Sequence, residues 1–373
     1  MTRILNIITD SNIGGAGNVL INFFCKTNRK EFDHTVIVPE KSLLTPRLKE
    51  LGVNVVEMAD IGEKSYSRKA VGEFRRIISM HRPDVVHTHA SLSARIAAKR
   101  WGKCAIVHTR HCTYQLSKLK TSFPVKNVLG FMNNRYSDII IAISPAARDN
   151  LVDMGTDPKK IITMFNGVEP IRRLSIDEKK AVRSNMGIKD DEFVCMIAAR
   201  LVHEKGHQSI LDAAEMLRSL PIRFILAGSG PIESELRAAV DSRKLDNCII
   251  TGFVADIAAL ENITDLNLNA SYGTETSSLS ILEGYSLGIP AVASDFGGNP
   301  YLVTDGVDGL IFPRQDACAL ADAIRKLFEN PETLTDMSKA ALETYKTRFT
   351  SEILASNIEQ VYRDAIKLKK REV

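Results

Sequence analysis

Short runs of β-branched and other apolar residues alternate with helical patterns along the first half of the chain. Six such runs predict strands, at residues 4–9, 35–38, 53–57, 85–88, 105–109 and 139–143. Between them, apolar positions recur at helical spacing in segments such as 66–81 and 92–101. Strands that alternate with helices are typical of βαβ units, whose strands form a doubly wound parallel sheet.

A second series of the same kind follows a break at residues 166–184, where Gly and Pro interrupt the pattern. Its predicted strands lie at 193–198, 224–227, 248–251, 266–269, 291–294 and 310–312. Helices are predicted in segments such as 209–218, 233–241 and 279–287, and throughout the chain beyond residue 317. We therefore predict an α/β protein with two domains, 1–168 and 185–350, and a C-terminal helix, 351–373, that can return to the first domain. Ligands of such sheets bind beyond the carboxyl ends of the strands, so two facing domains would form a cleft.

Composition places the chain among ordinary cytoplasmic proteins. Its 373 residues are 44% hydrophobic and 25% charged, and no apolar run approaches the roughly 18 residues that a membrane-spanning helix needs. The first residues lack the apolar core and cleavage site of a signal peptide. The six cysteines are scattered without a C-x-x-C pair, which argues against a zinc site and a disulfide framework.

The small net charge of +4 conceals a basic first half. Residues 1–168 carry 25 Lys and Arg against 14 Asp and Glu. Residues 85–137 contain no acidic residue, and their nine basic residues are Arg95, Lys99, Arg100, Lys103, Arg110, Lys118, Lys120, Lys126 and Arg135. This stretch is either a solvated surface or a field that attracts phosphate groups or an anionic membrane surface. Nucleic acid is disfavoured, because the stretch has few aromatic residues and no recognisable binding module.

A glycine turn follows the first predicted strand. Gly14, Gly15 and Gly17 lead into a helical pattern, but Leu20 occupies the position where a dinucleotide fingerprint needs a third small residue. The acidic residue expected after the second strand is also absent. The turn is therefore predicted to offer backbone N–H groups to a phosphate other than that of a nicotinamide or flavin cofactor.

Two loops of the predicted second domain carry groups that suit a sugar nucleotide. Arg200 and Lys205 lie at a strand-to-helix connection, where two cations could neutralise a diphosphate or could simply be solvated. Gly228 and Gly230 follow the next strand and precede a helix, as in an ordinary βα turn or a turn that admits a nucleotide.

Glu275 and Glu283 are separated by seven residues around the start of the predicted helix at 279–287. Glu283 lies on an apolar-patterned helix, and a buried carboxylate needs partners such as two ribose hydroxyls. Three residues that could offer backbone N–H groups to an anion precede this helix, Thr276, Ser277 and Ser278. The two glutamates could also form a glycosidase pair, but the phosphate-binding surroundings disfavour that interpretation.

Four histidines, His87, His89, His108 and His111, are predicted to follow strand ends in the first domain. They could form a metal cluster, but the stretch provides no carboxylate, and we predict no metal. Buried histidines are more often structural, and only His111, in a loop beside basic residues, is predicted to be catalytic.

In order and spacing, the motifs of this chain resemble those of the retaining family-4 glycosyltransferases of the two-domain GT-B fold. The motifs that carry the resemblance are Gly14-Gly15, PDVVHTH (83–89), VHTRH (107–111), AISPAARDNLVDMG (142–155), FNGVEP (165–170), Arg200 with Lys205, AGSGP (227–231), TGFVADI (251–257), Glu275 with Glu283, GIPAVASDFGGNP (288–300) and DGVDGLIF (305–312). The resemblance covers nearly the whole chain.

The resemblance implies a nucleotide-sugar donor bound mainly by the second domain and an acceptor bound by the first. By position, Arg200 and Lys205 would neutralise the diphosphate, Glu283 would hold the ribose, and Glu275 and His111 would act at the reacting sugar. The other implied donor contacts are Gly14, Gly15, Gly228, Phe253, Val254, Thr276, Ser277, Ser278 and Leu279. Such enzymes work without a dedicated metal or cofactor. Thr276–Ser278 and Tyr301 depart from the family pattern at the sugar pocket, so the sugar remains open.

The leading hypothesis is a hexosyl- or N-acetylhexosaminyl-transferase that uses a UDP-sugar in cell-surface polysaccharide or glycolipid synthesis. Its acceptor would be a saccharide or a lipid-linked molecule. The basic stretch and four apolar residues predict peripheral binding to the inner face of a membrane, namely Phe123, Val128, Leu129 and Phe131. A sugar-nucleotide epimerase or hydrolase of the same fold and a non-catalytic nucleotide-sugar-binding protein remain as alternatives.

Overall fold

The computed structural model describes residues 1–62, 64–113 and 125–371. These residues form two compact units. One unit comprises the chain up to Val168 and the segment from Ser351 onward, and the other comprises Glu169–Thr350. Residues 169–184, between the two domains predicted from the sequence, therefore lie in the second unit.

The first unit contains a parallel sheet of seven strands. They are β1 (Thr2–Ile8), β2 (Phe32–Pro39), β3 (Asn54–Met58), β4 (Val85–His89), β5 (Ala105–Arg110), β6 (Ile139–Ala142) and β7 (Ile161–Thr163). The strand order is β3-β2-β1-β4-β5-β6-β7, and each adjacent pair is parallel. The predicted doubly wound sheet is confirmed, and β7 is a strand that the sequence pattern did not indicate.

Six helices precede the second unit in the described part of the chain. They are α1 (Gly15–Lys26), α2 (Leu44–Glu50), α3 (Arg68–His81), α4 (Leu92–Trp101), α5 (Val125–Arg135) and α6 (Pro145–Asp153). The side chain of Ser67 caps α3 by accepting a hydrogen bond from the backbone of Ala70. Phe74 and Ile78, one helical turn apart, are fully buried against the sheet.

The second unit contains a parallel sheet of six strands, all of them predicted. They are β8 (Phe193–Ala198), β9 (Ile222–Ala227), β10 (Cys248–Gly252), β11 (Leu266–Asn269), β12 (Ala291–Ser294) and β13 (Gly309–Phe312). Their order is β10-β9-β8-β11-β12-β13. The helices of this unit are α7 (Ile176–Asn185), α8 (His207–Met216), α9 (Glu233–Arg243), α10 (Ala258–Glu261), α11 (Leu279–Leu287), α12 (Asn299–Leu302), α13 (Ala317–Glu329) and α14 (Pro331–Arg348).

The last described helix, α15 (Ser351–Arg371), belongs to the first unit, where it packs against α1, β4 and β5. Arg363 of α15 donates two hydrogen bonds to the carboxylate of Glu31, at 2.8 and 2.7 Å. A residue near the end of the chain is thereby fixed to the loop before β2. Among the described residues, no helix combines the length and apolar character needed to cross a membrane. All six cysteines are free.

Candidate functional site

In the second unit, the loops after β8, β9, β11 and β12 lie in backbone contact at the carboxyl edge of the sheet. Gly228 adopts a φ of +148°, and a Cβ there would lie 2.0 Å from the carbonyl oxygen of Ala199. Gly297 adopts a φ of +63°, and its Cβ would lie 2.0 Å from the carbonyl oxygen of Glu275. Neither position accepts a side chain without displacing backbone. Gly206, with a φ of +71°, approaches the carbonyl oxygen of Ala270 in the same way, at 2.0 Å from a built Cβ. The three glycines therefore bring the loops that carry Arg200, Lys205 and Glu275 to one edge of the sheet.

Glu275 is the buried centre of a hydrogen-bond network at this edge. Its Oε2 accepts hydrogen bonds from Lys205 Nζ at 2.9 Å, Asn269 Nδ2 at 2.9 Å and Ser271 Oγ at 3.2 Å. Its Oε1 accepts a hydrogen bond from the backbone N–H of Thr276 at 3.2 Å. Burial opposes ionisation, but Lys205 and these hydrogen bonds together hold the pKa of Glu275 below its ordinary value. Glu275 is therefore an oriented, ionised carboxylate, and Lys205 is its counter-ion.

Glu283, on the first turns of α11, lacks the hydrogen-bond partners that Glu275 has. Its carboxylate has no hydrogen-bond partner in the described part of the chain, and burial raises its pKa to about 7. Ser277, which precedes the helix, has a buried Oγ that also lacks a partner among the described residues. A half-buried acid and a buried hydroxyl at a helix N-terminus are groups that a ligand with hydroxyls and an anion could satisfy.

The side chains of the remaining predicted donor contacts around this edge differ in their exposure to solvent. The side chains of Thr276 and Ser278 are buried, and Leu279 is half-buried. Arg200 is exposed after β8, and Phe253, after β10, is 77% exposed. Val254 instead packs against the apolar cluster beside β8 and β9. Phe253 thus offers a free aromatic face, whereas Val254 helps to hold its loop.

In the first unit, the glycine turn forms the N-terminus of α1, with Gly14 as the residue that precedes the helix. A Cβ on Gly15 would meet no atom within 4 Å, whereas a Cβ on Gly17 would lie 2.8 Å from the Leu44 side chain. Gly17 therefore serves the packing of α1 on α2. Gly14 and Gly15 leave the helix N-terminus open, as a phosphate turn requires.

The four histidines do not all follow strand ends, and that prediction is wrong for three of them. His87 and His89 lie within β4, and His108 lies within β5. His87 and His108 already fall inside the predicted runs 85–88 and 105–109, and pairing of β4 with β5 extends β4 by one residue to His89. Only His111 lies beyond a strand. Among the described residues, no group of three His, Cys, Asp or Glu side chains is placed to hold a metal ion.

His89 and His111 form a hydrogen-bonded pair. His89 Nδ1 and His111 Nε2 are 2.8 Å apart, and the two rings stack with centroids 5.0 Å apart. Burial lowers the pKa of His111 to about 4 and that of His89 well below its usual range, so both rings are neutral at neutral pH. His89 Nε2 and His111 Nδ1 have no partner in the described part of the chain. Whichever ring donates within the pair, one of these two atoms remains a donor and the other an acceptor.

His87 begins a chain of hydrogen bonds that runs through the core of the first unit. Its Nε2 lies 2.7 Å from Thr109 Oγ1, and its Nδ1 lies 2.8 Å from Tyr362 Oη. Tyr362 Oη donates to Asn6 Oδ1 at 3.3 Å. Because the Tyr362 proton is used in this bond, His87 Nδ1 donates to Tyr362, and Thr109 donates to His87 Nε2.

The chain continues to a carboxylate on α15. Asn6 Nδ2 donates to His34 Nδ1 at 3.3 Å, and His34 Nε2 then donates to Thr27 Oγ1 at 3.1 Å. Thr27 donates to Glu359 Oε1 at 3.0 Å. Every donor in this chain has one acceptor, so the neutral tautomers of both histidines are fixed. Burial lowers the pKa of His34 and of His87 to about 3.

The sequence analysis missed the groups that orient Glu275. Asn269 is the last residue of β11, and Ser271 lies two residues beyond it. Polar residues at the carboxyl end of a strand were the signal used for other candidate residues, and the same signal could have identified these two. No sequence pattern indicated the role of Tyr362, because the pattern of α15 does not show which helix or strand this residue contacts.

Comparison with known proteins identifies two family models that together span most of the chain. The model for glycosyl transferases group 1 matches residues 178–344, and the model for Glycosyltransferase Family 4 matches residues 13–172. The chain is 30% identical over 330 residues to alpha-monoglucosyldiacylglycerol synthase of Acholeplasma laidlawii, covering 80% of this chain and 82% of that protein.

Two further comparisons cover nearly the whole chain. The UDP-Gal:alpha-D-GlcNAc-diphosphoundecaprenol alpha-1,3-galactosyltransferase of Escherichia coli is 23% identical, with 95% of each chain covered. The crystal structure of Anabaena HepE in complex with UDP superposes with a TM-score of 0.85 at 22% identity, covering 98% of this chain and 100% of that one. The chain therefore belongs to glycosyltransferase family 4, and its two parallel-sheet units are those of the GT-B fold.

Proposed function

We propose that this glycosyltransferase transfers a hexosyl or N-acetylhexosaminyl group from a UDP-sugar to a saccharide or lipid-linked acceptor, with retention of anomeric configuration. The unpartnered carboxylate of Glu283 is the observation that carries the donor proposal. An unpartnered, half-buried carboxylate with a pKa of about 7 is costly to ionise, and two ribose hydroxyls would supply the donors that it lacks. The UDP complex of HepE, a protein of the same fold, supports uracil as the base.

The diphosphate would bind where positive charge is available. Lys205 is already paired with Glu275, so the net charge for the diphosphate comes from Arg200 and from the backbone N–H groups at the start of α11. As the sugar C1–O bond breaks, these groups stabilise the negative charge on the leaving phosphate. The acceptor hydroxyl forms its bond to C1 on the same face, and its proton passes to the leaving phosphate oxygen. No metal or cofactor takes part in this proposal.

His111 and Glu275 would contact the reactants as fixed hydrogen-bonding groups. His111 is neutral above about pH 4, and it can donate or accept one hydrogen bond through Nδ1. Glu275, oriented by Asn269 and Ser271, can accept hydrogen bonds from sugar hydroxyls. Both groups are held in position before any ligand binds, which is how hydrogen bonds favour a transition state.

The donor proposal is tested by thermal unfolding of the protein with UDP, GDP, ADP and NAD. A ligand at about 100 times its Kd adds roughly 2.7 kcal/mol to the state that binds it, a shift of roughly 5–10 °C. UDP alone should produce this shift. Glu283→Gln should weaken UDP binding about tenfold or more, and Glu332→Gln, on the exposed start of α14, is the matched control. An equal response to all four nucleotides, or an unchanged affinity in Glu283→Gln, would contradict the proposal.

Retention is tested on the product. The coupling constant of the anomeric proton distinguishes an α-linked product from a β-linked one when an α-linked UDP-sugar is the donor. A β-linked product would overturn the retaining mechanism, and release of free sugar without an acceptor would indicate a hydrolase. Turnover that survives EDTA is expected, because no step requires a metal.

We also propose that the protein works at the cytoplasmic face of a membrane. Val128 and Phe131 of α5 are 55% and 62% exposed, and Leu129 is half-buried; Phe123, the fourth apolar residue of the prediction, lies outside the described residues. The names of the relatives from A. laidlawii and E. coli, which refer to lipids or lipid-linked sugars, support this proposal. Flotation with anionic liposomes should fall in Phe131→Ser and not in the control Ile176→Ser, which changes an exposed residue of the second unit. Equal flotation of the wild-type protein with neutral and with anionic liposomes would refute the electrostatic part of this membrane proposal.

A further inference from the structure

The first unit contains a cavity of about 190 Å³ beside the histidine pair, at the carboxyl ends of β1, β4 and β5. Its lining includes His111, His108, Arg95, Arg110 and Asp10. By this measure a single water site needs roughly 10–15 Å³. The cavity is therefore larger than one water site and smaller than a nucleotide site.

Arg95 is the unusual member of this lining. It lies on α4 and is only 5% exposed, yet its hydrogen-bond partners in the described part of the chain are neutral. Its guanidinium donates to Asn133 Oδ1 at 3.3 Å and to Ser137 Oγ at 3.2 Å. Its buried Nε has no partner in the same described residues. Removing an arginine from water without a counter-ion costs several kcal/mol.

Among the described residues, no carboxylate is paired with Arg95. Burial, together with the nearby cation Arg110, lowers the pKa of Arg95 to about 10, which leaves Arg95 charged at neutral pH. His108 is neutral, because burial and the two arginines hold its pKa well below the usual range. Residues 85–137 contain no Asp or Glu.

Asp10 is the carboxylate among the described residues of the lining, and it lies at the glycine turn. Its Oδ1 accepts a hydrogen bond from the backbone N–H of Asn12 at 3.0 Å. The structure gives no ion pair between Asp10 and Arg95 among the described residues. One carboxylate against Arg95 and Arg110 leaves the described lining with a net positive charge, and Arg95 holds its share of that charge on a rigid, buried side chain.

We propose that this cavity binds a phosphate group of the acceptor, with Arg95 as its buried cationic contact. A phosphate oxygen would accept a hydrogen bond from the Arg95 guanidinium where it lines the cavity, and the anion would offset the positive charge of Arg95. The rest of the cavity would leave room for the carbon atoms next to the phosphate, beside His111. This inference rests on the proposed function, because it specifies the chemistry of the acceptor.

The test uses the full chain with UDP present at saturation, so that the second unit's anion site is occupied. Inorganic phosphate is titrated at constant ionic strength, with NaCl as the replaced salt, and thermal unfolding is recorded. In the wild-type protein, phosphate at ten times its Kd should raise Tm by about 3 °C or more. The variant Arg95→Gln should increase the Kd for phosphate at least about tenfold. Arg100→Gln changes an exposed arginine of the same helix and should bind phosphate as the wild type does.

A wild-type protein that responds to UDP but not to phosphate would overturn this inference and leave the proposed function intact. A wild-type protein whose Tm does not rise with UDP would instead contradict the proposed function. Phosphate binding that is equal in the wild type, Arg95→Gln and Arg110→Gln would also overturn the inference, because the binding would then lie elsewhere. If Arg95→Gln does not fold, Arg110→Gln decides the outcome alone.

Two phosphate esters identify the source of the group. Glycerol 3-phosphate is compared with short-chain phosphatidic acid, and glycerol serves as the uncharged control. Arg95-dependent binding of both esters to a similar extent supports a soluble phosphorylated acceptor. Preferential Arg95-dependent binding of phosphatidic acid supports a lipid phosphate, and binding of glycerol alone would overturn the role of the charge.

Discussion

The two units differ in the ionisable side chains that they bury. In the first unit, burial keeps five histidines neutral, His34, His87, His89, His108 and His111, while the buried Arg95 remains charged. The second unit buries a neutral histidine too, His207, but it is distinguished by its buried carboxylates. Glu275 is ionised against Lys205, whereas burial raises the pKa of Glu283 and of Glu261, the latter also through its proximity to Glu283.

The difference teaches that similar sheets can respond to acid in opposite directions. A buried neutral histidine must lose its proton to fold, so it disfavours folding as the pH falls below the ordinary histidine pKa. A carboxyl group with a raised pKa binds its proton more tightly in the folded state, so it favours folding as the pH falls below 7. Four variants or conditions test this contrast.

The largest effect is expected from Lys205→Met. This change leaves Glu275 ionised and buried without its counter-ion, which costs about 3–5 kcal/mol in comparable buried pairs. Calorimetry should show a lower unfolding temperature for the second unit and little change in the first. Lys339→Met, which removes an exposed pair with Asp336, should leave both unchanged. If Lys205→Met changed the unfolding temperature as little as Lys339→Met does, Glu275 would have become protonated at little cost in stability.

Acidification from pH 8 to pH 5 should destabilise the first unit. The pKa of His87 falls from 6.5 in the unfolded chain to about 3 in the fold, so at pH 5 this residue alone costs about 2 kcal/mol. The loss begins near pH 6.5 and grows as the pH falls towards 3. Urea unfolding followed at several pH values measures the slope. The slope should be smaller in His87→Gln than in the control His203→Gln, which changes an exposed histidine; equal slopes would contradict the assignment.

Tyr362→Phe should have an intermediate effect on the first unit. It removes the hydroxyl that joins His87 to Asn6 and leaves two buried atoms, His87 Nδ1 and Asn6 Oδ1, without a hydrogen-bond partner, at a cost of about 1–3 kcal/mol. The loss should appear in urea unfolding at pH 8. Tyr66→Phe, at an exposed position, is the matched control. A neutral effect of Tyr362→Phe would mean that water replaces the hydroxyl.

The smallest effect, and the one with the opposite sign, is expected for Glu283→Gln. At pH 8 the wild-type carboxylate is ionised in a half-buried position, so the amide should stabilise the second unit by up to about 1 kcal/mol. At pH 5 the acid is protonated in the fold but still mostly ionised in the unfolded chain, so the difference should be much smaller, and it should vanish below about pH 4.5. Unfolding of the variant and the wild type at both pH values checks the sign. Destabilisation at pH 8 would indicate that Glu283 has a cationic partner.

Much of the fold could be predicted because β-branched runs mark strands that are buried on both faces. The run Ile139–Ala142 and the run Phe193–Ala198 are such strands, and both were identified. The strand Ile161–Thr163 was missed, since its three residues are too few to show a pattern. Strand ends were also less certain, because pairing with β5 extends β4 one residue beyond the predicted run, to His89.

The candidate site was only partly predictable, because sequence motifs show which residues are present and not what they contact. Glu275 and Lys205 were both identified, but not as partners of each other. The sequence did contain one unused signal for the cavity of the first unit. Arg95 lies three residues after Leu92 and three before Ala98, on the buried face of α4, where an arginine is rare.

The position of α15 has a consequence for how the protein forms during synthesis. Residues 1–168 emerge from the ribosome first, but Tyr362 and Glu359, which complete the hydrogen-bond chain of their unit, are made about 200 residues later. At about 5–20 residues per second, that interval lasts roughly 10–40 s. Until α15 arrives, the faces of α1 and β5 that it covers are exposed on the nascent chain. The first unit is therefore the earlier of the two to begin folding and the later to finish.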